Sequence, residues 1–397
     1  MPLNYNRTIR ACFTGYIVQA IVNNFVPLLF LTFQSTYDIP LGSITLLVTL
    51  NFGFQLLVDA VSPLFIDRIG YRVSTVLAHV FAFAGLVSLT ILPGLFTAPF
   101  TGLLVSVLIY AVGGGLLEVL ISPIVEACPT DNKQTAMSLL HSFYCWGHVG
   151  VVLVSTIFFF IFGIRNWMYL ALVWAVVPAV NAVVFTRVPL APLIAEGETG
   201  LSLKALLRTR TFWYFVLLML CAGASEHAVS QWSSTFAERG LGVAKTIGDL
   251  SGPMFFAIMM GLSRLLYGKY GHGFNLKRFM AWSTLLCVAS YLLITFSPYP
   301  VLALLGCGLC GLSVGIMWPG TFSMASASIR NGGTALFAFL ALAGDLGCMT
   351  GPTVAGFVSA SFGDNLSAGI LAAIVFPVVL LVSIMMMKAS GGRKAKA

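Results

Sequence analysis

The segment Asp67-Arg68-Ile69-Gly70-Tyr71-Arg72 lies between two long apolar runs, and Gly268-Lys269-Tyr270-Gly271 lies between two more about half a chain later. Both segments place a basic residue and a glycine in the same order. Similarity at a fixed separation indicates that the chain contains two related halves. The sequence on either side of these segments indicates the fold class of the two halves.

The composition is that of a membrane protein. Of 397 residues, 58% are hydrophobic and only 9% are charged, which is far more apolar than a soluble chain of this length. An apolar run of roughly 18 or more residues can cross a bilayer as a helix. We count twelve such runs, near residues 9–33, 41–66, 73–93, 98–126, 134–163, 166–187, 211–237, 247–270, 276–296, 299–327, 333–360 and 365–388.

The basic residues predict the orientation of these spans. Lys and Arg near span ends are retained on the cytoplasmic side. With both termini on that side, only Arg165, Arg239 and Lys245 of the 21 basic residues fall outside. We therefore expect a multi-pass protein of the bacterial inner membrane with cytoplasmic termini. The asymmetry explains the net charge of +8 without a nucleic-acid partner. The expected partners are the lipid bilayer and a small-molecule substrate. We expect the protein to be a monomer.

Residues 188–210 separate six runs from six. They contain several prolines and glycines and the short amphipathic segment 201–208, which suits a linker lying along the membrane surface. We predict an all-α membrane protein with twelve transmembrane helices in two six-helix bundles related by pseudo-two-fold symmetry. The predicted units are an N-terminal bundle (1–187), a cytoplasmic linker with a short amphipathic helix (188–210), a C-terminal bundle (211–388) and a basic cytoplasmic tail (389–397).

The loop from Pro63 to Arg72 and its degraded copy from Arg264 to Gly271 resemble the signature loop of the major facilitator superfamily. The resemblance covers the whole chain, although Pro63 stands where the family usually has glycine and Tyr71 where it has a basic residue. It implies that the two bundles rock about a central site, and that Asp67 and Arg68 latch them on the cytoplasmic side. The residues that we predict for this gate are Asp59, Asp67, Arg68, Arg72, Arg264 and Lys269.

Four acidic residues stand out within the predicted spans, Asp59, Glu118, Glu226 and Asp345, with Glu126 at a cytoplasmic helix end. A charge at the bilayer centre costs at least ~2.5 kcal/mol, so such an acid usually faces a cavity or a partner. Around Glu226, at about 100° per residue, polar and small side chains cover an arc roughly 120° wide. Two interpretations of Asp345 stay open. It neutralises Arg264, or it lies in the cavity wall.

The resemblance implies that the first, fourth, seventh and tenth helices surround the cavity. The stretch in which Trp232 follows Glu226 also resembles the seventh helix of sugar transporters related to fucose permeases. No Lys or Arg is expected near the middle of any span, which disfavours an anionic substrate, whereas amides, acids and aromatic rings suit a neutral polyol. The residues that we predict to bind substrate are Gln19, Asn23, Asn51, Gln55, Glu118, Tyr144, Glu226, His227, Gln231, Trp232 and Trp318.

The coupling ion is predicted to be a proton, with sodium as the alternative. Histidine titrates near neutral pH, so His141 on the fifth span can exchange a proton with Glu118 or Glu226. Ordinary helix-to-helix hydrogen bonds are the simpler role for His141. A zinc site formed by His141, Cys145 and His148 would need a ligand from another helix, and we predict no metal and no cofactor.

Three functions are compatible with the sequence. The first is proton-coupled uptake of a sugar or other small neutral polar solute. The second is proton-coupled efflux of lipophilic cations, which an acidic and aromatic cavity would also suit; the third is a receptor that has lost transport. A phosphate-binding loop of the form Gly-x4-Gly-Lys-Ser/Thr is absent, which excludes an ATP-driven pump of that class. We expect no enzymatic activity.

Overall fold

The computed structural model describes residues 5–61, 66, 68–129, 133–191, 206–270, 275–329 and 333–387. Within these ranges the chain is helical and contains no strand. The long helices are α1 (Tyr5–Tyr37), α2 (Leu41–Val61), α3 (Tyr71–Leu95), α4 (Pro99–Ala127), α5 (Lys133–Phe162), α6 (Trp167–Arg187), α7 (Arg210–Gly240), α8 (Lys245–Asp249, Leu250–Met254 and Phe255–Tyr270), α9 (Leu276–Phe296), α10 (Pro300–Ser328), α11 (Gly333–Ser361) and α12 (Leu366–Met386).

Eleven of these helices are long and apolar enough to cross a membrane. The remaining one, α11, has 29 residues and lies against α7 and α2. The prediction of twelve spans is therefore confirmed. Helix α1 extends about four residues beyond the predicted run at each end. Its first α-helical segment ends at Asn24, whose side chain donates to the Ala20 carbonyl at 2.9 Å.

The contacts between helices repeat in the two halves. In the first half α1 contacts α5, α2 contacts α4, and α3 contacts α4 and α6. The second half repeats this set as α7 with α11, α8 with α10, and α9 with α10 and α12. The two seams that join the halves, α2 with α11 and α5 with α8, are also equivalent under this exchange. The fold is thus two six-helix bundles with pseudo-two-fold symmetry, as predicted.

Three of the helices at the centre are interrupted. Helix α1 has a turn at Phe25 and then a 3₁₀ segment, Val26–Leu29, which contains Pro27. Helix α7 has a turn at Gln231 and Trp232, and α10 has one at Gly315 and Ile316. Proline removes a backbone donor and breaks the regular ladder. Irregular backbone at membrane depth is tolerated where it is buried in protein or lines a cavity, and the residues at these turns are buried.

Helices α7 and α11 approach each other through glycine. A Cβ atom on Gly347 would lie 2.0 Å from the Leu220 carbonyl oxygen, and one on Gly223 would lie 2.2 Å from the Gly344 carbonyl oxygen. Small residues allow helix backbones in a membrane to touch in this way. The close contact fixes the position of Asp345, on α11, relative to Glu226, on α7.

We call the face where α1 begins and α12 ends the inner face, following the predicted topology, and the opposite face the outer face. Most hydrogen bonds between the bundles lie in the outer half. The Thr49 and Thr353 hydroxyls are 2.7 Å apart, Gln231 donates to the Asn23 carbonyl at 3.2 Å, and Lys245 donates to the Leu28 carbonyl at 2.8 Å. The bundles are therefore closed against each other on the outer side.

The predicted domain boundaries at the linker and the tail stay predictions. Helix α6 ends at Arg187 and α7 begins at Arg210, in agreement with six helices on each side. Residues 192–205 and 388–397 lie outside the described residues, and with them the predicted amphipathic helix and the basic tail.

Candidate functional site

Four buried amide side chains of α1 and α2 form one hydrogen-bonded group. Gln19 and Asn23 are four residues apart on α1, as are Asn51 and Gln55 on α2, so each pair lies on one side of its helix. Gln55 Nε2 donates to Asn23 Oδ1 at 2.9 Å and to Asn51 Oδ1 at 3.0 Å. Gln19 Nε2 donates to Gln55 Oε1 at 3.2 Å. We call these four residues the amide group.

The amide group extends to two further helices. Gln19 Nε2 lies 3.1 Å from Glu118 Oε2 on α4, and the Asn23 carbonyl accepts from Gln231 on α7 at 3.2 Å. One turn towards the inner face, the hydroxyls of Tyr16 and Ser122 are 3.0 Å apart. Residues predicted separately on α1, α2, α4 and α7 are thus in contact.

Three carboxyl groups meet beside the amide group: Asp59 on α2, Glu118 on α4 and Asp345 on α11. One oxygen of each lies within 4.8 Å of the other two. We call these three residues the carboxyl cluster. Two ionised carboxylates about 4 Å apart repel by about 4 kcal/mol at an effective dielectric constant of about 20. Of the two interpretations of Asp345, the structure therefore places it among acids and not beside Arg264.

Glu226 has a basic partner. Its Oε2 atom lies 3.8 Å from a guanidinium nitrogen of Arg264, and both side chains are largely buried. Arg264, on α8, also donates to the backbone carbonyls of His141 on α5 and Gly315 on α10, each at 3.4 Å. The expectation of a centre without a fixed positive charge is therefore wrong. The long side chain carries its charge away from its own position on α8 towards the centre.

The histidines and Tyr144 surround this ion pair. His227 Nδ1 lies 4.0 Å from Glu226 Oε1, and its ring meets Phe52 of α2 edge-on at 5.1 Å. The His141 ring lies 5.4 Å from that of Tyr16, yet His141 is exposed, so solvent reaches the seam from the inner side. The Tyr144 hydroxyl accepts from Asn24 at 3.4 Å.

The two tryptophans that we predicted to bind substrate lie in different surroundings. Trp232 is completely buried, with its ring 5.2 Å from Phe30 and its N–H donating to the Pro352 carbonyl at 2.9 Å. It belongs to the outer closure in this conformation. Trp318 is half-buried beside Gly344 and 6.4 Å from Phe322, which leaves part of its ring accessible.

The predicted gate residues do not gather at one place. Asp67 and the side chain of Lys269 lie outside the described residues, and Arg68 is exposed. Arg72 donates to the Phe185 carbonyl at 2.7 Å, a contact within its own bundle. Asp59 belongs to the carboxyl cluster, and Arg264 to the ion pair. The gate role of this set stays a prediction.

A charged contact at the outer closure was missed by the sequence reasoning. Lys245 Nζ lies 3.1 Å from Asp249, which is 1% exposed, and 5.8 Å from the Phe159 ring of α5. The same nitrogen donates to the Leu28 carbonyl of α1. The spacing i, i+4 of Lys245 and Asp249 was a signal for the pair itself, but nothing in the sequence indicated the contacts to α1 and α5.

A small cavity borders the amide group. Beside Asn23, Asn51 and Gln231 the cavity measures about 10 Å³, which is about the room for one water molecule. A larger depression of about 830 Å³ lies on the outer face, lined by residues such as Gln34, Asp38 and Arg239. It is separated from the amide group by the outer closure.

Two pseudo-symmetric helical bundles with polar side chains at their seam are an architecture shared by many membrane transporters. Residues 11–352 match the model of the Major Facilitator Superfamily, and the chain belongs to this superfamily. It is therefore a multi-pass integral membrane protein with a transport role, and members of its family bind small-molecule substrates within the membrane. No curated protein matches the chain in sequence.

Solved structures share the fold along nearly the whole chain. A D-xylose-proton symporter is 15% identical, with a TM-score of 0.76 over 96% of this chain and 98% of that one. The nucleoside transporter NupG is 15% identical, with a TM-score of 0.77 over 96% and 99%. The fucose:proton symporter FucP of E. coli is 16% identical, with a TM-score of 0.66 over 95% and 98%. At these identities the likeness concerns the fold alone.

Proposed function

We propose that this protein carries out proton-coupled uptake of a sugar or similar small neutral polar solute by alternating access. The observation that carries the proposal is the buried amide group joined to Glu118. Amides offer donors and acceptors without net charge, which is what hydroxyl-rich solutes require, and the adjoining acid can link their binding to a proton. The gradient supplies the energy, and no enzymatic reaction and no cofactor are part of the proposal.

The charges at the centre support a neutral solute. Arg264 is in contact with Glu226, so its charge is compensated within the protein. The carboxyl cluster then leaves an excess of acidic groups, which repels anions. The partly accessible ring of Trp318 offers an apolar surface to one face of a sugar.

The related structures agree with this choice. Two of the three are named as proton symporters, of D-xylose and of fucose, and the third as a nucleoside transporter. All three solutes are neutral and carry several hydroxyl groups. We further propose that the protein lies in the bacterial inner membrane, as a monomer with cytoplasmic termini.

In the proposed mechanism, residues 1–187 rock against residues 211–388. The outer closure opens to admit the solute to the amide group, and it closes again before the solute leaves on the inner side. Glu118, Glu226 and His141 are the proposed proton-carrying groups, and sodium is the alternative coupling ion. A ligand or a proton shifts such an equilibrium only through its different affinity for the two states.

The test is uptake into proteoliposomes of a panel of labelled pentoses, hexoses and nucleosides, and of cationic dyes, with and without an inward proton gradient. Accumulation of a neutral solute that requires the gradient supports the proposal. Movement of dyes alone would identify an efflux antiporter, and binding without flux would identify a receptor. Replacing external potassium by sodium separates the two coupling ions.

Glu226→Gln tests the coupling role of the ion pair. We expect gradient-driven accumulation to fall at least tenfold, about 1.4 kcal/mol, because the variant loses an acidic group and leaves the Arg264 charge uncompensated. Glu238→Gln, the same substitution near the outer face, should keep the gradient dependence. If Glu226→Gln still accumulates solute against its gradient, Glu226 does not couple transport to protons.

A further inference from the structure

The depression on the outer face has no part in the function proposed above. Its volume of about 830 Å³ lies within the range of small-molecule sites, about 300–1,000 Å³. From the N-terminal bundle its lining includes Gln34, Ser35 and Asp38, and from the C-terminal bundle Arg239 and Asp364. Because both bundles contribute to the lining, the shape of the depression depends on how they lie against each other.

Arg239 contacts both bundles at this depression. Its guanidinium donates to Asp364 Oδ2 at 2.8 Å and to Gln34 Oε1 at 3.2 Å. Gln34 belongs to α1, whereas Asp364 belongs to the connection between α11 and α12. The Arg239 side chain is 40% exposed and that of Asp364 is 31% exposed, so a solute in the depression can reach both groups. Separation of the bundles on the outer side would carry Gln34 away from the other two residues.

The lining suits a neutral solute that is rich in hydroxyl groups. The Gln34 amide both donates and accepts, Arg239 donates, and the Asp38 carboxylate accepts. Hydroxyl groups, which themselves donate and accept, therefore find partners of both kinds. Pro40 and Ile164 add an apolar part to the lining, which can contact the carbon atoms of such a solute.

Two other classes of solute fit the lining less well. Its acidic residues are Asp38, Glu238 and Asp364, and its basic residues are Arg239 and Lys245, so no excess of positive charge attracts an anion. Among the described residues of the lining none is aromatic, whereas aromatic faces are the surfaces that favour organic cations. A neutral polyol is therefore the favoured occupant.

The depression and the amide group are too far apart to hold one small solute. Gln34 lies eleven residues beyond Asn23 on α1, which corresponds to about 16 Å at the rise of an α-helix. A monosaccharide does not span this distance. Between them, Lys245 of the C-terminal bundle donates to the Leu28 carbonyl of α1. A solute in the depression is thus at a separate site.

We propose that the outer depression is a second binding site for the transported solute, which binds there while the outer side is closed and thereby keeps it closed. The inference rests on the proposed function, because it assigns the same neutral, hydroxyl-rich class of solute to both sites. A ligand favours the conformation that it binds more tightly. Opening separates Gln34 from Arg239, so the open form binds solute at this site more weakly. External solute at high concentration therefore slows its own uptake.

The first test is protection of an introduced cysteine in proteoliposomes. All eight cysteines of the chain are buried, so Ser35→Cys, at an exposed position of the lining, supplies a reactive thiol on the outer face. The probes are D-xylose, fucose and uridine, added outside. We expect a probe that the protein takes up to slow the reaction with a membrane-impermeant maleimide about twofold at its dissociation constant. Thr97→Cys, which is exposed on the outer side but is not part of the lining, should react equally with and without the probe.

A cross-linked protein distinguishes the outer site from the amide group. The Thr49 and Thr353 hydroxyls are 2.7 Å apart, so a disulfide in Thr49→Cys/Thr353→Cys would keep the outer half closed. In this oxidised background Ser35→Cys should still be protected by external solute. Protection that disappears on cross-linking would come from the centre and would overturn the proposal. The absence of protection by a probe that the wild-type protein takes up would also overturn it.

Initial rates of uptake test the effect on the closed state. We expect the wild-type rate to rise and then to fall as external solute increases. Gln34→Leu should remove the fall, because it removes a polar contact on the N-terminal side of the site. Thr36→Leu, at an exposed position of α1 outside the lining, is the matched control and should keep the fall. A wild-type rate that saturates without falling would overturn the proposal.

Two further measurements separate the alternatives. Protection of Ser35→Cys by a cationic rhodamine dye, together with no protection by the three neutral probes, would overturn the proposal in favour of a cation site. Asp38→Asn should keep protection by a neutral probe, because asparagine retains an acceptor oxygen. Failure of the proposed function itself gives a different result: at low external concentration the wild-type protein would show neither gradient-driven uptake nor exchange of labelled for unlabelled solute.

Discussion

Lys245 lies at the contact between the two bundles, although the sequence places it in a short connection on the outer side. Its ammonium group is between Asp249 of its own helix, the Leu28 carbonyl of α1 and the Phe159 ring of α5. Asp249 also accepts a hydrogen bond from Ser234. A buried acid of this kind depends on its cation, because an unpaired charge away from water is costly. Lys245 therefore both compensates Asp249 and joins the two bundles.

We expect Lys245→Ala to destabilise the protein strongly. Removing one partner of a buried ion pair costs about 3–5 kcal/mol, because the other charge is left buried, and here the Asp249 side chain is 1% exposed. Arg239→Ala is the matched control. It removes the ion pair with Asp364, whose side chains are 40% and 31% exposed, and surface pairs contribute about 0–1 kcal/mol. Thermal unfolding in detergent compares the two variants.

Equal melting temperatures for the two variants would contradict the role of Lys245. A double variant, Lys245→Ala with Asp249→Asn, adds a second check. It should recover part of the lost stability, because no unpaired buried charge remains. Additive losses would show that the two side chains do not interact.

Some contacts of the individual site residues could be predicted from the sequence, and others could not. Gln19, Asn23, Asn51 and Gln55 were predicted from their spacing on two helices, and the structure brings them into one group, although their role in binding is untested. Arg264 was expected at the inner end of its helix. Its guanidinium lies at the centre because a long side chain extends well away from its own Cα, and helix periodicity does not fix its direction. Asp345 was undecided for a related reason, since its partners come from the other half of the chain.

At the level of helices, the length and depth of each span follow from the apolar runs. What the runs do not show is where the helices are interrupted. The turn in α7 at Gln231 and Trp232 has no proline or glycine to mark it, and it depends on tertiary contacts such as the bond from Gln231 to α1. Contacts between distant segments of the chain decide such breaks, so local sequence alone does not predict them.

Gly347→Ala tests the close contact of α7 with α11. The new methyl group would lie 2.0 Å from the Leu220 carbonyl oxygen, so the helices must separate, and overpacking of this kind costs about 1–3 kcal/mol. Gly150→Ala on α5 is the control, because no other atom lies within 4 Å of its added Cβ. We expect a lower melting temperature for Gly347→Ala and an unchanged or slightly higher one for Gly150→Ala, since alanine favours a helix.

The seam between α2 and α11 offers a direct test of movement. The hydroxyls of Thr49 and Thr353 are 2.7 Å apart, so cysteines at the two positions lie close enough for a disulfide. We expect oxidised Thr49→Cys/Thr353→Cys protein to lose most of its uptake, because a disulfide prevents the two helices from separating, and to recover it on reduction. Each single cysteine variant controls for the substitution itself. Full uptake by the cross-linked protein would show that this seam does not open during transport.

For the whole molecule, the two bundles and their equivalent contacts were predictable from the repeated loop and the twelve runs. The conformation was not, because the same sequence supports both a closed and an open outer side. The structure has the outer side closed by Lys245, Thr49 and Trp232, while His141 is exposed to the inner side.

The central claim is that solute and proton cross the membrane together. Its most direct test is a pH electrode in a weakly buffered suspension of proteoliposomes, to which a transported sugar is added outside. We predict that the external medium becomes more alkaline on addition of sugar, and that Glu118→Gln and Glu226→Gln abolish the change while sugar exchange continues. Sugar uptake by the wild-type protein without any change in external pH would contradict the claim.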